Sequence, residues 1–387
     1  MLKRESLNLK IAVITTQREL TERKDNKNKE NTIDIVKKLV PLLNQRLSKK
    51  LFFHFHYPFL QGGKSDQLNF ALKNLELQNP LIFKNSTTYI GLYDADSISG
   101  LNVLQILAED AVKHDFPLVY QQPVIYLKNY NSLPYSLNGC LMKGFALLQT
   151  RYSLGYEIPI FLNSKRNIRR KIGKMAYCLG HGLFVRADFL KKLNFFPSPI
   201  EDTRFGHILS YLKYEIRLLP SLAVTEVAQK FTWLLRQSSV WFTGESYFLK
   251  DYKIAKKFQK IEKIWALSLI FYKLYRNFIW ATEGIILGSA ILIGWYLPQK
   301  IFLLPLLMGL LIYVYFCPYY LLISSKKFLF LCNHEIKFHP DKKDYLFNLV
   351  FLPVVSFLLC LGPQLGLIRF LKAKLTRKSI LFPKTPR

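Results

Sequence analysis

Tyr89-Ile90-Gly91-Leu92-Tyr93-Asp94-Ala95-Asp96, a short apolar run ending in two carboxylates one residue apart, decides how this chain is read. Along an extended backbone residues i and i+2 share a face, so Asp94 and Asp96 are expected to address one hard cation together. Such a cation bridges diphosphate oxygens and stabilises the charge that develops as a nucleoside diphosphate departs. An Asx turn at a strand end accounts for the same pair without any ligand. The choice between the two falls to the flanking sequence.

Upstream, Gly62-Gly63-Lys64-Ser65-Asp66-Gln67-Leu68-Asn69 is a glycine-rich turn entering a helix over Leu68 to Leu75, with Lys64 able to meet a phosphate. Ile11 to Thr15 and Leu51 to His56 read as strands, Asn31 to Leu43 as an amphipathic helix, and Thr21 to Glu30 as a polar loop. Asn129 to Pro134 reads as a surface loop. Apolar runs and amphipathic stretches alternate in this way to about Gly244, the pattern of an α/β domain. Downstream come Gly180-His181-Gly182-Leu183-Phe184-Val185-Arg186, then Pro199-Ile200-Glu201-Asp202-Thr203-Arg204, and last Gln237-Ser238-Ser239-Val240-Trp241.

The 387 residues are 50% hydrophobic, which excludes a disordered chain, and 55 Lys+Arg against 26 Asp+Glu give a formal charge of +29. That balance suits an anionic membrane face, a nucleic acid or a phosphorylated substrate. Nucleic acid is set aside, because the lysines track apolar boundaries and no stacking motif appears. Cys140, Cys178, Cys317, Cys332 and Cys360 form no CxxC pair, so neither a disulfide framework nor a zinc site is expected and a reducing, cytosolic setting fits. The early apolar run Ile11 to Ile14 is too short for a secretory signal.

After Gly244 the composition changes. Ile254, Phe258, Ile261 and Trp265 form one stripe among Lys253, Lys256, Lys257, Lys260 and Lys263, an interfacial-helix signature that a soluble helix with a basic face would also give. Phe278 to Leu297 and Ile301 to Ile323 each reach the length of a bilayer span, joined by Pro298, Gln299 and Lys300 as a hairpin. Lys326, Lys327, Lys337, Lys342 and Lys343 then mark the cytosolic side. Tyr345 to Leu371, interrupted by Pro353 and Gly362-Pro363, is read as a bent pair of half-spans returning the basic tail to the cytosol. The expected organisation is a cytosolic catalytic domain over 1–244, interfacial helices over 245–277, a transmembrane region over 278–371 and a basic tail over 372–387.

In order and spacing these motifs resemble the processive, membrane-bound family-2 glycosyltransferases, the group that includes cellulose and hyaluronan synthases. The resemblance implies an α/β glycosyltransferase A-type nucleotide-sugar domain, an interfacial helix and a C-terminal transmembrane helical region. It implies that the Gly63-Lys64 and Leu68-Asn69 turn borders the donor, and that Asp94 and Asp96 hold Mg²⁺ or Mn²⁺ with the UDP diphosphate. Asp202 of the Glu201-Asp202 pair would then be the general base, with Gln237 at the donor, and Trp241 and His181 at the acceptor. The implied reaction is inverting transfer from a UDP-sugar to a growing polysaccharide or lipid-linked acceptor, by a multi-pass protein among membrane lipids. Phe382-Pro383-Lys384-Thr385-Pro386-Arg387 also resembles the basic tail of some members.

Two departures bear on function. Serine and valine replace the basic part of the family's QxxRW element, which shifts diphosphate neutralisation to Arg236 or Lys64. No strand with the Pro-x-x-Asn-Glu signature precedes Ile11, and Thr15-Thr16-Gln17 stands where members often carry a DDGS turn. A truncated start, a partner chain supplying the first strand, or impaired donor binding would each explain this. Other readings stay open: Glu201-Asp202 as an acidic helix start, Trp241 as packing, His54 and His56 as a metal pair or a satisfied one, Gln121 and Gln122 as an acceptor border or a sheet edge. At the level of the whole protein the alternatives are a polyisoprenyl-phosphate glycosyltransferase and a catalytically impaired membrane partner of a complete synthase.

Overall fold

A computed structural model describes residues 8–21, 31–100, 102–296, 303–324 and 338–376. The polar loop over 22–30, the link Pro298 to Lys300, Lys326, Lys327, Cys332, Lys337 and the tail from Arg377 lie outside the described residues. The chain divides into two compact units, Met1–Asn85 with Leu190–Glu201, and Ser86–Phe189 with Asp202–Arg387.

In the first unit β1 (Ile11–Thr16) and β2 (Phe52–Tyr57) pair in parallel, Ile11 opposite Phe52 and Thr16 opposite Tyr57. Helix α1 (Thr32–Arg46) connects them, and the Asn31 side chain caps it by accepting from the Asp34 amide at 2.7 Å. Helix α2 (Lys64–Gln78) follows Gly62, whose φ of +114° only glycine adopts without strain. The Asp66 carboxylate then accepts the Gly63 amide at 2.7 Å, closing a capping box. A strand, a helix and a parallel strand precede the Gly62-Gly63-Lys64 turn, as the pattern of Ile11 to Thr15, Asn31 to Leu43 and Leu51 to His56 predicts. Ile11 to Ile14 and Phe52 to Phe55 supply the apolar β-formers that the pairing needs.

The second unit is built on a four-stranded sheet in the order β3 (Tyr89–Leu92), β6 (Leu183–Arg186), β4 (Val119–Gln121), β7 (Arg217–Leu218). β6 runs antiparallel to both neighbours, and β4 pairs in parallel with β7. Helix α3 (Val103–Lys113) covers one face, with Val103, Leu107 and Ala111 packed on Tyr120, Phe184 and Leu219. A second parallel pair, β5 (Val124–Ile125) with β8 (Ala223–Val224), adjoins helix α4 (Leu137–Tyr152). Because α4 is apolar on every side it must be enclosed, and Leu141, Met142, Phe145, Ala146, Leu147 and Leu148 are all buried. Asn129 to Pro134 is a surface loop at Asn131, Ser132 and Pro134, pinned by the buried Tyr130 and Leu133 and by the Asn129 amide, which bonds the Val227 carbonyl at 2.9 Å and its N–H at 3.0 Å.

Further helices are α5 (Glu201–Tyr211), α6 (Phe231–Glu245), α7 (Phe248–Ala255), α8 (Lys263–Tyr296), α9 (Leu303–Leu311), α10 (Cys317–Ile323), α11 (Lys342–Leu358) and α12 (Leu361–Thr376), beside several short ones. A wide π turn, Ile312–Phe316, joins α9 to α10. The basic stripe from Ile254 to Trp265 is two helices rather than one, since α7 ends at Ala255 and Trp265 is buried with its indole donating to the Ser210 carbonyl at 3.1 Å. The Gln259 side chain donates to the Leu212 carbonyl at 3.0 Å and holds the break. Helix α8 runs without interruption through residues 277 and 278. Lys263–Ile293 and Lys342–Thr376 are long and apolar enough to cross a bilayer. Within the latter stretch α11 contains Pro353, and α12 opens on Gly362-Pro363 after the chain turns at Leu359 and Cys360.

These apolar helices share one core with the strands. Val314, Leu321, Leu322, Leu352 and Val355 are buried in the same cluster as Val124, Ile125 and α4. Helix α12 lies close on α6, where a methyl group at Gly366 would stand 2.6 Å from the Ser239 carbonyl oxygen. Across α4 and α11 runs a buried ion pair, Lys143 Nζ to Asp344 Oδ1 at 2.7 Å, with the ammonium 4.0 Å from the Tyr135 ring centre. Removing one partner strands the other charge. Lys143→Met is expected to destabilise by about 3–5 kcal/mol, and Lys143→Met with Asp344→Asn to recover much of it, in chemical unfolding of the detergent-solubilised protein.

Candidate active site

β3 ends at Leu92, and the chain then turns, with the Ser97 amide donating to the Asp94 carbonyl at 3.0 Å. Asp94 and Asp96 therefore sit on a turn, not on one face of an extended strand as alternation suggested, because the turn bond ends the pleat before the second carboxylate. Lys128 Nζ donates to the Asp96 carbonyl at 2.7 Å and pairs with Glu226 at 3.0 Å. Ile98 bridges Val224, so the turn is tied to the β5–β8 pair.

The segment before β6 is fixed by backbone bonds on both sides. The Gly182 amide donates to Leu92 O at 2.8 Å, and its carbonyl accepts from the Gln122 amide at 2.7 Å. Gly182 has φ +65°, and a Cβ there would lie 2.7 Å from Gln122 Cβ, so both conformation and space demand glycine. Gln121, fully buried, accepts the Leu179 amide at 2.9 Å and donates to the His181 carbonyl at 3.0 Å. Gln122 accepts the Tyr93 hydroxyl at 2.5 Å and donates to Ser221 at 3.2 Å. Both glutamines thus satisfy buried polar groups around this segment.

These bonds set His181 with Nδ1 3.4 Å from Asp94 Oδ2. Its Nε2 is buried with no hydrogen-bond partner among the described residues. The ring meets Tyr126 edge to face at 6.3 Å. Burial first, then the carboxylates of Glu157, Asp94 and Asp202, hold the Tyr126 hydroxyl well above the ordinary phenol range. One side chain therefore feels Asp94 from the turn and Asp202 from the start of α5, two acids far apart in sequence. Asp202 is half-buried, and its Oδ1 accepts the Thr203 amide at 2.6 Å. Glu157, itself buried, is pushed up by desolvation while bonds from Ser153 and from the Tyr177 hydroxyl at 2.6 Å pull the other way.

Behind Asp202 on the same helix lies a buried ionic cluster. Arg204 Nε donates to Asp251 Oδ1 at 2.8 Å, His207 Nδ1 lies 3.0 Å from Asp251 Oδ2, and Lys273 pairs with Glu245. The cluster joins α5, α6, α7 and α8. Burial, aided by the Lys273 charge, lowers His207 from 6.5 to about 4, so this imidazole is neutral at pH 7. No single motif marks Tyr126, Glu157 or this cluster, because their partners come from distant segments.

Lys64 and Glu201 form an ion pair at 3.4 Å within the first unit, Glu201 nearly buried and Lys64 partly exposed. Arg236, exposed, and Gln237 and Trp241, half-buried, lie on α6. Trp241 packs on the core cluster around α4, while Ser238 and Ser239 face α12, where Arg369 donates to Ser239 Oγ at 2.9 Å. Ser238 and Ser239 of this QxxRW-like element thus occupy a close helix contact, with Val240 at the arginine position. His54 and His56 both bond Thr15 Oγ1, at 2.7 and 3.1 Å, and His56 reaches Gln17 at 3.0 Å: a satisfied pair. Among the described residues no three His, Cys, Asp or Glu side chains are grouped to hold a metal ion. The expected pair Asp94 and Asp96 is of the ligand type that suits Mg²⁺ or Mn²⁺, and would leave the ion's other oxygens to a diphosphate and water.

Residues 154–322 match the family model described as glycosyl transferase family group 2, and the chain is a glycosyltransferase. Among solved structures the chain is similar to a mannosyltransferase from Pyrobaculum calidifontis in complex with GDP-Man and Mn²⁺, at 13% identity and TM-score 0.46. That likeness covers 94% of this chain and 88% of the other. No curated protein matches the chain.

The His207 site makes stability depend on pH. Its folded pKa is depressed from 6.5 to about 4, so across that window the unfolded chain binds a proton that the folded chain refuses. Stability is expected to fall as pH drops through it, and His207→Gln to flatten that part of the profile, read from unfolding midpoints between about pH 7 and 4.

Proposed function

We propose that this protein is an inverting glycosyltransferase that moves a sugar from a UDP-sugar to a growing polysaccharide or lipid-linked acceptor at a membrane. The observation that carries the reading is the turn after β3, where Asp94 lies 3.4 Å from the His181 ring that packs edge to face on Tyr126. An acceptor hydroxyl is a poor nucleophile at neutral pH, so a carboxylate must take its proton as the anomeric carbon is attacked. Asp202 is that base, held at a helix start beside a cluster that fixes α5. Asp94 and Asp96 would hold Mg²⁺ or Mn²⁺, which supplies charge stabilisation for the departing diphosphate when bound.

In the second unit Gln237 and Arg236 serve the donor side; in the first, Lys64 beside Glu201 is a cation able to meet phosphate. His181 and Trp241 serve the acceptor, the buried Nε2 of His181 offering one unspent hydrogen-bonding position. With no enzyme nucleophile the displacement is single, and the anomeric configuration inverts. The helices over Lys263–Ile293 and Lys342–Thr376 anchor the catalytic part to the bilayer, with the basic segments on the cytosolic face. A second reading, transfer to a polyisoprenyl phosphate, is favoured by the shared core: the strands beside the site belong to the same buried cluster as Val314, Leu321 and Leu352 of the apolar helices.

Asp202→Asn is expected to lower turnover of a UDP-sugar about 10²- to 10⁴-fold while leaving metal-dependent UDP binding within about twofold. Wild-type turnover in that variant removes Asp202 from the base role. Comparing a glycan primer with a polyisoprenyl phosphate as acceptor separates the two readings.

A further inference from the structure

Helix α8 carries two cations one turn apart on its inward side, Lys273 and Arg276, while Leu267, Phe271, Leu274 and Phe278 are exposed on the opposite side. Lys273 is buried and its charge is matched by Glu245. Arg276 is half-buried, and among the described residues no carboxylate pairs with it. Its Nη2 donates to the Tyr152 hydroxyl at 2.9 Å, and its guanidinium carbon lies 4.1 Å from the Tyr156 ring centre. The Tyr152 and Tyr156 rings are 4.9 Å apart, and the Tyr156 and Tyr272 hydroxyls share a hydrogen bond at 2.7 Å. Tyr156 sits on a wide π turn, Ser153–Glu157, a helix irregularity that often marks ligand sites. From Arg276 to Tyr296 the helix holds one further charge, Glu283, so the guanidinium stands at the polar end of the apolar stretch, the level of lipid phosphates.

This aromatic box is joined to the turn after β3 by residues of the same compact unit. Tyr152 also hydrogen-bonds with Tyr177, whose hydroxyl donates to Glu157 Oε1 at 2.6 Å. Glu157 acts on Tyr126, which meets His181 beside Asp94. We infer that Arg276, with Tyr152, Tyr156 and Tyr272, binds the phosphate of a lipid-linked acceptor whose head extends toward His181. The inference rests on the glycosyltransferase reading proposed above and chooses among its acceptors. A phosphate supplies the counter-charge that Arg276 lacks, and the planar guanidinium fork takes two of its oxygens at once. The phenol hydroxyls can donate to the others. A phosphate-free glycan would leave the guanidinium without a counter-charge, which is what selects the phosphorylated lipid.

The test uses the full-length protein in phosphatidylcholine nanodiscs, with a fluorescent polyisoprenyl phosphate as probe and binding read by anisotropy. The parent is expected to bind it about tenfold or more tightly than the phosphate-free polyisoprenol, and Arg276→Gln to bind the two within about twofold of each other. Arg276→Lys keeps a charge but not the fork, so its preference is expected to fall between the two; it carries the test if Arg276→Gln does not fold. Excess phosphatidylglycerol and millimolar inorganic phosphate are expected to leave the probe bound. Equal binding of both lipids by the parent overturns the inference, as does a parental preference in the folded Arg276 variant. Displacement by phosphatidylglycerol also overturns it, by assigning the site to a bulk headgroup, and displacement by inorganic phosphate does so by assigning it to the free ion. Binding is read without sugar transfer, so a failure of the catalytic reading shows itself separately, as parental turnover in Asp202→Asn.

Discussion

Enclosure of α4 is the constraint on which the rest of the second unit depends. A helix apolar on every face has no stable place at a surface, so strands must cover one side and other helices the remainder. Here β5 and β8 take one side and the apolar C-terminal helices the other, with Val355 and Leu352 against residues of α4. The strand pair that holds the Asp94 turn is thereby joined through α4 to a helical stretch long enough to cross a bilayer. The one charge inside this contact, Lys143, is matched by Asp344, which fixes α11 against α4 in a single register. Chemistry and anchorage follow from one core.

At the site, backbone geometry does most of the positioning. Gly182 accepts a conformation closed to other residues, and Gln121 spends its amide on Leu179 and His181. Together they place an imidazole beside Asp94, and the Tyr126 phenol sees that acid and Asp202 at once. The ionic cluster of Arg204, Asp251 and His207 then holds α5 from behind, so that the helix carrying Asp202 is braced by charge as well as by packing.

Much of this was legible in the residues. Alternating apolar runs marked β1, β2 and β3, the glycine-rich turn marked the start of α2, and the acidic pairs marked the turn after β3 and the start of α5. What escaped was whatever depends on partners far away in sequence. The Asp94–Asp96 turn replaced an extended strand because one bond, from Ser97 to Asp94, ends the pleat. Trp265 left the expected lipid-facing stripe because Ser210 offered its indole a buried acceptor. Serines within the QxxRW element looked like a loss, yet Gly362 and Gly366 of α12 need small neighbours there.

The central claim is a single displacement assisted by one carboxylate, with no covalent sugar on the protein. Proton NMR of the first product formed from a UDP-α-sugar tests it most directly. A β-configured product is the outcome this account requires, and an α-configured product would contradict it.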